Sequence, residues 1–152
     1  MKNHLLALTF CIIALPAFGD LVWQKRAPLL EENSEMSVAQ WGNKIYVFGG
    51  YPSTRKMVGT VQVYAATSDR WQLEPPLPAP VNHSVAVALE GKLYVIGGQK
   101  KAGGKAKKAQ FQDLVQIYDI ASKTWSKGSR MLTKRSGGGA AVIRGKIYVA
   151  GG

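Results

Sequence analysis

Cysteine is almost missing from this chain of 152 residues: it occurs once, at Cys11. Cys11 lies in an apolar run near the N-terminus, so the rest of the chain has no thiol for a disulfide, a thiolate metal site or a cysteine nucleophile. Histidine is nearly as scarce, at His4 and His83, and a lone imidazole does not make a zinc site. No metal or other cofactor is expected, and no residue is assigned a catalytic role. Acid is sparse too: nine Asp and Glu stand against 20 Lys and Arg, for a net charge of +11. The apolar run over residues 5–15 is too short to span a bilayer as a helix, and no other segment is long and apolar enough. Helical periodicity is lacking throughout the remainder.

What the N-terminus does contain is an export pattern. Lys2 supplies a positive start, the apolar run follows, Pro16 breaks it, and Ala17-Phe18-Gly19 places small residues at the two positions a signal peptidase reads. Residues 1–19 are expected to be a signal peptide, with Asp20 opening the mature chain. The expected location is periplasmic or extracellular, with no transmembrane segment in the mature chain.

Charge is unevenly spread. Residues 20–99 carry seven basic and seven acidic side chains, whereas residues 100–152 carry twelve basic side chains against Asp113 and Asp119 alone. A one-sided basic field recruits polyanions. Export argues against nucleic acid as the partner and points to a protein or an anionic polysaccharide.

Three ten-residue segments align without gaps: WGNKIYVFGG (41–50), LEGKLYVIGG (89–98) and IRGKIYVAGG (143–152). Trp23, Trp71 and Trp125 each open a segment of 28 residues that ends on the double glycine. A third match lies in the return path, where VQVYAATSDRW (61–71) parallels VQIYDIASKTW (115–125), with six residues between Tyr and Trp in both. Such self-similarity marks a repeat architecture. Within each repeat, 85–89 and 140–143 read as first strands, and 92–96 and 146–150 as second strands rich in β-branched and aromatic residues. Glu90-Gly91 and Arg144-Gly145 make the tight turns between them. The segments 61–64 and 115–118 alternate apolar and polar residues as third strands, and Trp71 and Trp125 open the fourth.

These residues resemble the kelch repeat, which is marked by apolar residues leading into a double glycine and then by a Tyr and a Trp about six residues apart. The matching positions are Gly49, Gly50, Gly97, Gly98, Gly151 and Gly152, with the pairs Tyr64/Trp71 and Tyr118/Trp125. The resemblance implies an all-β fold: a partial kelch-type β-propeller of four-stranded antiparallel blades in an open arc over 20–152. Blade 1 is expected over 35–73, blade 2 over 83–127 and the first half of blade 3 over 137–152. The segment 20–25, around Trp23, resembles an orphan closing strand. Propellers use about four to eight blades of about 50 residues, so the chain is expected to be part of a larger unit, or to self-associate through its open edges.

Binding residues are expected on the loops that lead into each blade (26–35, 74–82, 128–136) and on the linkers between second and third strands (51–59, 99–110), which share one face of a propeller. The basic candidates there are Lys100, Lys101, Lys105, Lys107 and Lys108, with Arg130, Lys134 and Arg135 on a neighbouring loop. Gly103-Gly104 suits a hairpin tip between the lysines, and the glycine–lysine spacing is not that of a P-loop. His83 is expected to make a structural hydrogen bond, and Asn82-His83-Ser84 matches a glycosylation acceptor. Glu31, Glu32 and Glu35, with no histidine near them in sequence, are expected to be exposed. The function implied is a non-catalytic binding scaffold that presents this face to a protein or anionic glycan. The alternative is a fragment of an exported carbohydrate-active kelch enzyme such as a sialic-acid mutarotase, with Arg and Glu of the leading loops as its groups. A copper-dependent oxidase of this type would need cysteine and histidines that the segment lacks.

Overall fold

The structure is a computed structural model that describes residues 22–54, 56–101 and 109–152, with Lys101 described in its backbone only. The expected signal peptide, Asp20, the glycine hairpin tip and Lys105, Lys107 and Lys108 lie outside the described residues.

Twelve strands are present among them: β1 Ser37–Trp41, β2 Lys44–Phe48, β3 Val61–Ala65, β4 Arg70–Glu74, β5 Val85–Leu89, β6 Lys92–Ile96, β7 Gln99–Lys101, β8 Ala109–Phe111, β9 Val115–Asp119, β10 Thr124–Lys127, β11 Gly139–Ile143 and β12 Lys146–Ala150. They form a four-stranded sheet in the order β1-β2-β3-β4, a second in the order β5-β6-β9-β10, and the pair β11-β12. The ribbon β7-β8 is inserted between β6 and β9. All pairings are antiparallel. The first strand β5 neighbours both β1 and β11, so the sheets stand side by side as an open arc and none closes on itself. The six-residue spacing of Tyr and Trp places Tyr64 opposite Trp71 and Tyr118 opposite Trp125 across a hairpin. Their ring centroids are 5.1 and 4.9 Å apart.

The core lies between the first two sheets. Tyr46, Phe48, Val61, Val63, Leu77, Val81, Leu93, Val95 and Tyr118 are buried there, with Trp125 packed against them. Phe48 meets the Trp125 ring edge-on at 6.1 Å.

The polar residues of the third strands are not wet: Gln62 and Gln116 are only 1% and 3% exposed, because a preceding loop covers them. The segment expected as an orphan closing strand carries no strand pairing over its described residues, and Trp23 is 100% exposed. A fourth strand needs a third strand beside it, and no described strand is available to play that part.

Candidate binding face

Three contacts recur where one blade meets the residues before it. First, the buried glutamines of β3 and β9 clamp the leading loop of the blade. Gln116 Oε1 accepts from Ala79 N–H at 2.8 Å, and its Nε2 donates to Ala79 C=O at 2.9 Å. Gln62 does the same to the earlier loop, accepting from Leu30 and Glu31 N–H at 2.9 and 3.2 Å and donating to Glu31 C=O at 3.2 Å. Second, the tryptophans of the two full blades each donate the indole N–H to a backbone carbonyl of the preceding loop: Trp71 to Ala27 and Trp125 to Pro75, both at 2.9 Å. Third, the second glycine of the first two pairs donates forward into the next leading loop. Gly50 N–H reaches Val81 C=O at 3.1 Å, and Gly98 N–H reaches Arg135 C=O at 2.8 Å.

That forward contact explains why glycine is needed. Gly97 has φ +66°, in the left-handed region that side chains disfavour. A Cβ there would also lie 2.7 Å from Arg135 O, and one on Gly98 would lie 2.7 Å from Asn82 O. The double glycine therefore lets two leading loops press onto the end of a second strand.

The two junctions carry opposite charge arrangements. At the first, Asp69 accepts from Tyr64 Oη at 2.6 Å and from Ala27 N–H at 3.0 Å, with Arg26 nearby. The Tyr64 hydrogen bond, the Ala27 amide and the Arg26 charge hold the Asp69 carboxyl below its ordinary range. At the second, the acid sits on the earlier blade: Glu74 accepts from Tyr118 Oη at 2.9 Å and from Lys123 Nζ at 3.0 Å. The Glu74 side chain is 5% exposed and that of Lys123 58%. Burial works against the Glu74 charge, but the hydrogen bonds from Lys123 and Tyr118 outweigh it and hold the carboxyl below its usual value. A depressed folded-state pKa stabilises the fold above the unfolded value of about 4.3 and is lost as pH falls through the lower folded value. Glu74→Gln is expected to cost about 1–2 kcal/mol at neutral pH, discounted for the exposed lysine. The gap to wild type should close in acid, as read from urea unfolding at neutral pH and below the carboxylate range.

With the blades so joined, the leading loops and linkers meet at one end of the sheets. The isolated bridges Ser34–Tyr51 and Asn82–Gln99 tie leading loop to linker at the first and second blades, and Gln112–Arg135 ties the end of the β7-β8 ribbon to the third leading loop. Between the β7-β8 ribbon and the third leading loop lies a depression of about 460 Å³, lined by Lys100, Gln110, Phe111, Gln112, Asp113, Arg130 and Lys134. Met131 N–H donates to Asp113 C=O at 2.9 Å and Arg135 N–H to Gln112 C=O at 3.0 Å, which fixes the loop against the ribbon.

The expected basic candidates divide here. Lys100 and Lys134 are exposed and share the depression. Arg130 also lines it but is ion-paired with Asp113. Arg135 turns instead to Gly151 C=O, at 2.7 Å, and serves the backbone of the third blade. Nothing is assigned to the Lys101 side chain or to Lys105, Lys107 and Lys108, which the described residues do not include.

Nearer the first strands lies a second polar group that sequence reading separated. Glu35, His83 and Gly137 occupy one repeat position, all with positive φ. His83 N–H donates to Glu35 C=O and Gly137 N–H to His83 C=O, both at 2.8 Å. The side chains converge as well: Glu35 Oε2 lies 3.4 Å from His83 Nδ1 and accepts from Asn82 Nδ2, while Gln99 Nε2 lies 3.1 Å from His83 Nδ1. His83 thus has the hydrogen-bond partner expected of it. Glu35, expected to have no histidine beside it, meets one from the next blade. The repeat spacing is the signal that would have found this pair.

A model of the KLHDC2/KLHL20/DRC7 Kelch-repeats domain matches residues 19–152. The chain belongs to the kelch-repeat family. Kelch relatives include beta-scruin of Limulus polyphemus, 30% identical over 130 residues, and Kelch-like protein 23 of Homo sapiens, 32% identical over 133 residues. Each alignment covers 86% of this chain but only 14% and 23% of the relative, so the kelch segment here spans a small part of the proteins it matches. Among solved structures, that of YjhT superposes with a TM-score of 0.69 at 23% identity, covering 84% of this chain and 36% of that one. This likeness establishes the fold as a kelch propeller arc.

Proposed function

We propose that this kelch domain is an exported, non-catalytic binding scaffold whose loop face takes an anionic partner, protein or polysaccharide. The observation that carries the reading is the basic excess of residues 100–152, set on the blade whose ribbon and third leading loop frame an open depression. Lys100 and Lys134 make no ion pair among the described residues, which leaves their charge for a ligand. Export rests on the order of charge, apolar run and small residues in 1–19.

Binding of this kind is screened by salt, with a Debye length of about 10 Å at 0.1 M falling to about 3 Å at 1 M. Affinity for dextran sulfate or polygalacturonate is expected to fall steeply across that range. The joint replacement of Lys100, Lys101, Lys105, Lys107 and Lys108 by Gln is expected to weaken it further. Salt-independent affinity, unchanged by the five substitutions, would remove the electrostatic reading.

A further inference from the structure

We infer that the depression between the β7-β8 ribbon and the third leading loop is a subsite for a carboxylated sugar ring of the uronic-acid type. This inference rests on the anionic-partner reading and narrows it. The feature that charge alone does not explain is Phe111. It ends β8 with its side chain on the surface, 48% exposed, yet lines the same depression as Lys100 and Lys134. A large apolar ring left in water beside two cations suits a ligand with both an apolar face and a negative group. A pyranose carrying a carboxylate has both, since its axial C–H bonds form a face that lies flat on an aromatic ring.

The polar groups fit the same ligand. Arg130, whose planar fork matches carboxylate and phosphate alike, is held by Asp113. That pairing neutralises the one carboxylate lining the depression and leaves two lysines as point charges for the sugar carboxylate. Gln112 Nε2 is spent on Gln110 and Phe111 C=O at 2.7 and 3.1 Å, which fixes its side chain beside the ring and leaves Oε1 to accept from a hydroxyl. The depression, about 460 Å³, lies within the size range of small-molecule sites, about 300–1,000 Å³.

The test is calorimetric titration of the purified protein with oligogalacturonate, neutral oligogalactan of the same length, dextran sulfate and polyglutamate, all at one low ionic strength. Oligogalacturonate is expected to bind and the neutral chain not. Phe111→Ala is expected to weaken oligogalacturonate about ten-fold, equivalent to about 1.4 kcal/mol, with polyglutamate, which has no sugar face, unchanged. Phe111→Tyr should restore the affinity, and Lys134→Gln should lower it independently. Thermal melts of the variants should match wild type, because both side chains are exposed. Equal binding of dextran sulfate or polyglutamate, with no effect of Phe111→Ala, overturns the sugar subsite while leaving the electrostatic scaffold standing. Failure of every polyanion to bind overturns both.

Discussion

Gly97→Ala is expected to cost the fold about 2–4 kcal/mol, from a left-handed backbone penalty of about 1–2 kcal/mol and a steric term of similar size. Both parts are visible at this residue. The backbone sits at φ +66°, and an added Cβ would lie 2.7 Å from Arg135 O and 3.0 Å from Met131 Cε. The Arg135 carbonyl has little freedom to retreat, because it accepts the Gly98 N–H at 2.8 Å. Gly91 is the control. It has φ +73° in the β5–β6 turn, but a Cβ added there would meet nothing within 4 Å. Gly91→Ala should therefore cost only the backbone part, about 1–2 kcal/mol. Urea unfolding of the two variants separates the contributions. Equal losses would mean that the next leading loop is not what excludes a side chain at Gly97.

Gln116→Leu is the second substitution with a large expected effect. Leucine is close in size and suits a strand position that is 3% exposed, so packing is largely kept. What goes is the pair of hydrogen bonds to Ala79, at 2.8 and 2.9 Å. The Ala79 N–H and C=O would lose their partners at the edge of the core, next to buried Leu77 and Val81. Leaving a buried polar group unpaired costs about 1–3 kcal/mol. With Ala79 half-buried, a total loss of about 2–4 kcal/mol is expected. Gln116→Glu keeps an acceptor for the amide but places a charge in a covered site, and should recover little. Denaturant unfolding checks both.

The parts of the fold that sequence displayed openly are those built from unusual residues at fixed spacing. Double glycines and Tyr–Trp pairs stand out because few other environments demand them, and the strands between them followed from β-branched and aromatic content. Gln62 and Gln116 were just as regular, each one residue into its VQ motif, but alternation of apolar and polar residues is the ordinary mark of a strand with one wet face. Only the leading loop lying over that face makes it dry, and a loop's path is not encoded in the strand it covers. The same reason hid the Glu35–His83 pair: each side chain reads as a surface residue in its own blade, and the two meet because the repeat carries them to one position. On the candidate face, the sign of the charge was legible in sequence but its partners were not. Asp113 takes Arg130, and the Gly151 carbonyl takes Arg135, so two of the expected basic contacts are committed within the protein. Phe111 carries no signal in the sequence, because a lone phenylalanine in a charged linker has no periodicity; its exposure beside Lys100 and Lys134 is a property of the folded ribbon.

Native-state hydrogen exchange at the amides of Gly50, Ala79 and Gly98 bears most directly on whether adjoining blades are held by clamps that repeat at each junction. These three N–H groups bond to Val81 C=O, Gln116 Oε1 and Arg135 C=O respectively, each outside its own sheet ladder. They are predicted to be protected to the same degree as amides within the β2–β3 and β6–β9 ladders, and to open with them as one unit. In Gln116→Leu, Ala79 should lose its protection. Fast exchange at all three amides while the ladders stay protected would show blades that fold singly and merely touch, and would contradict the clamped arc.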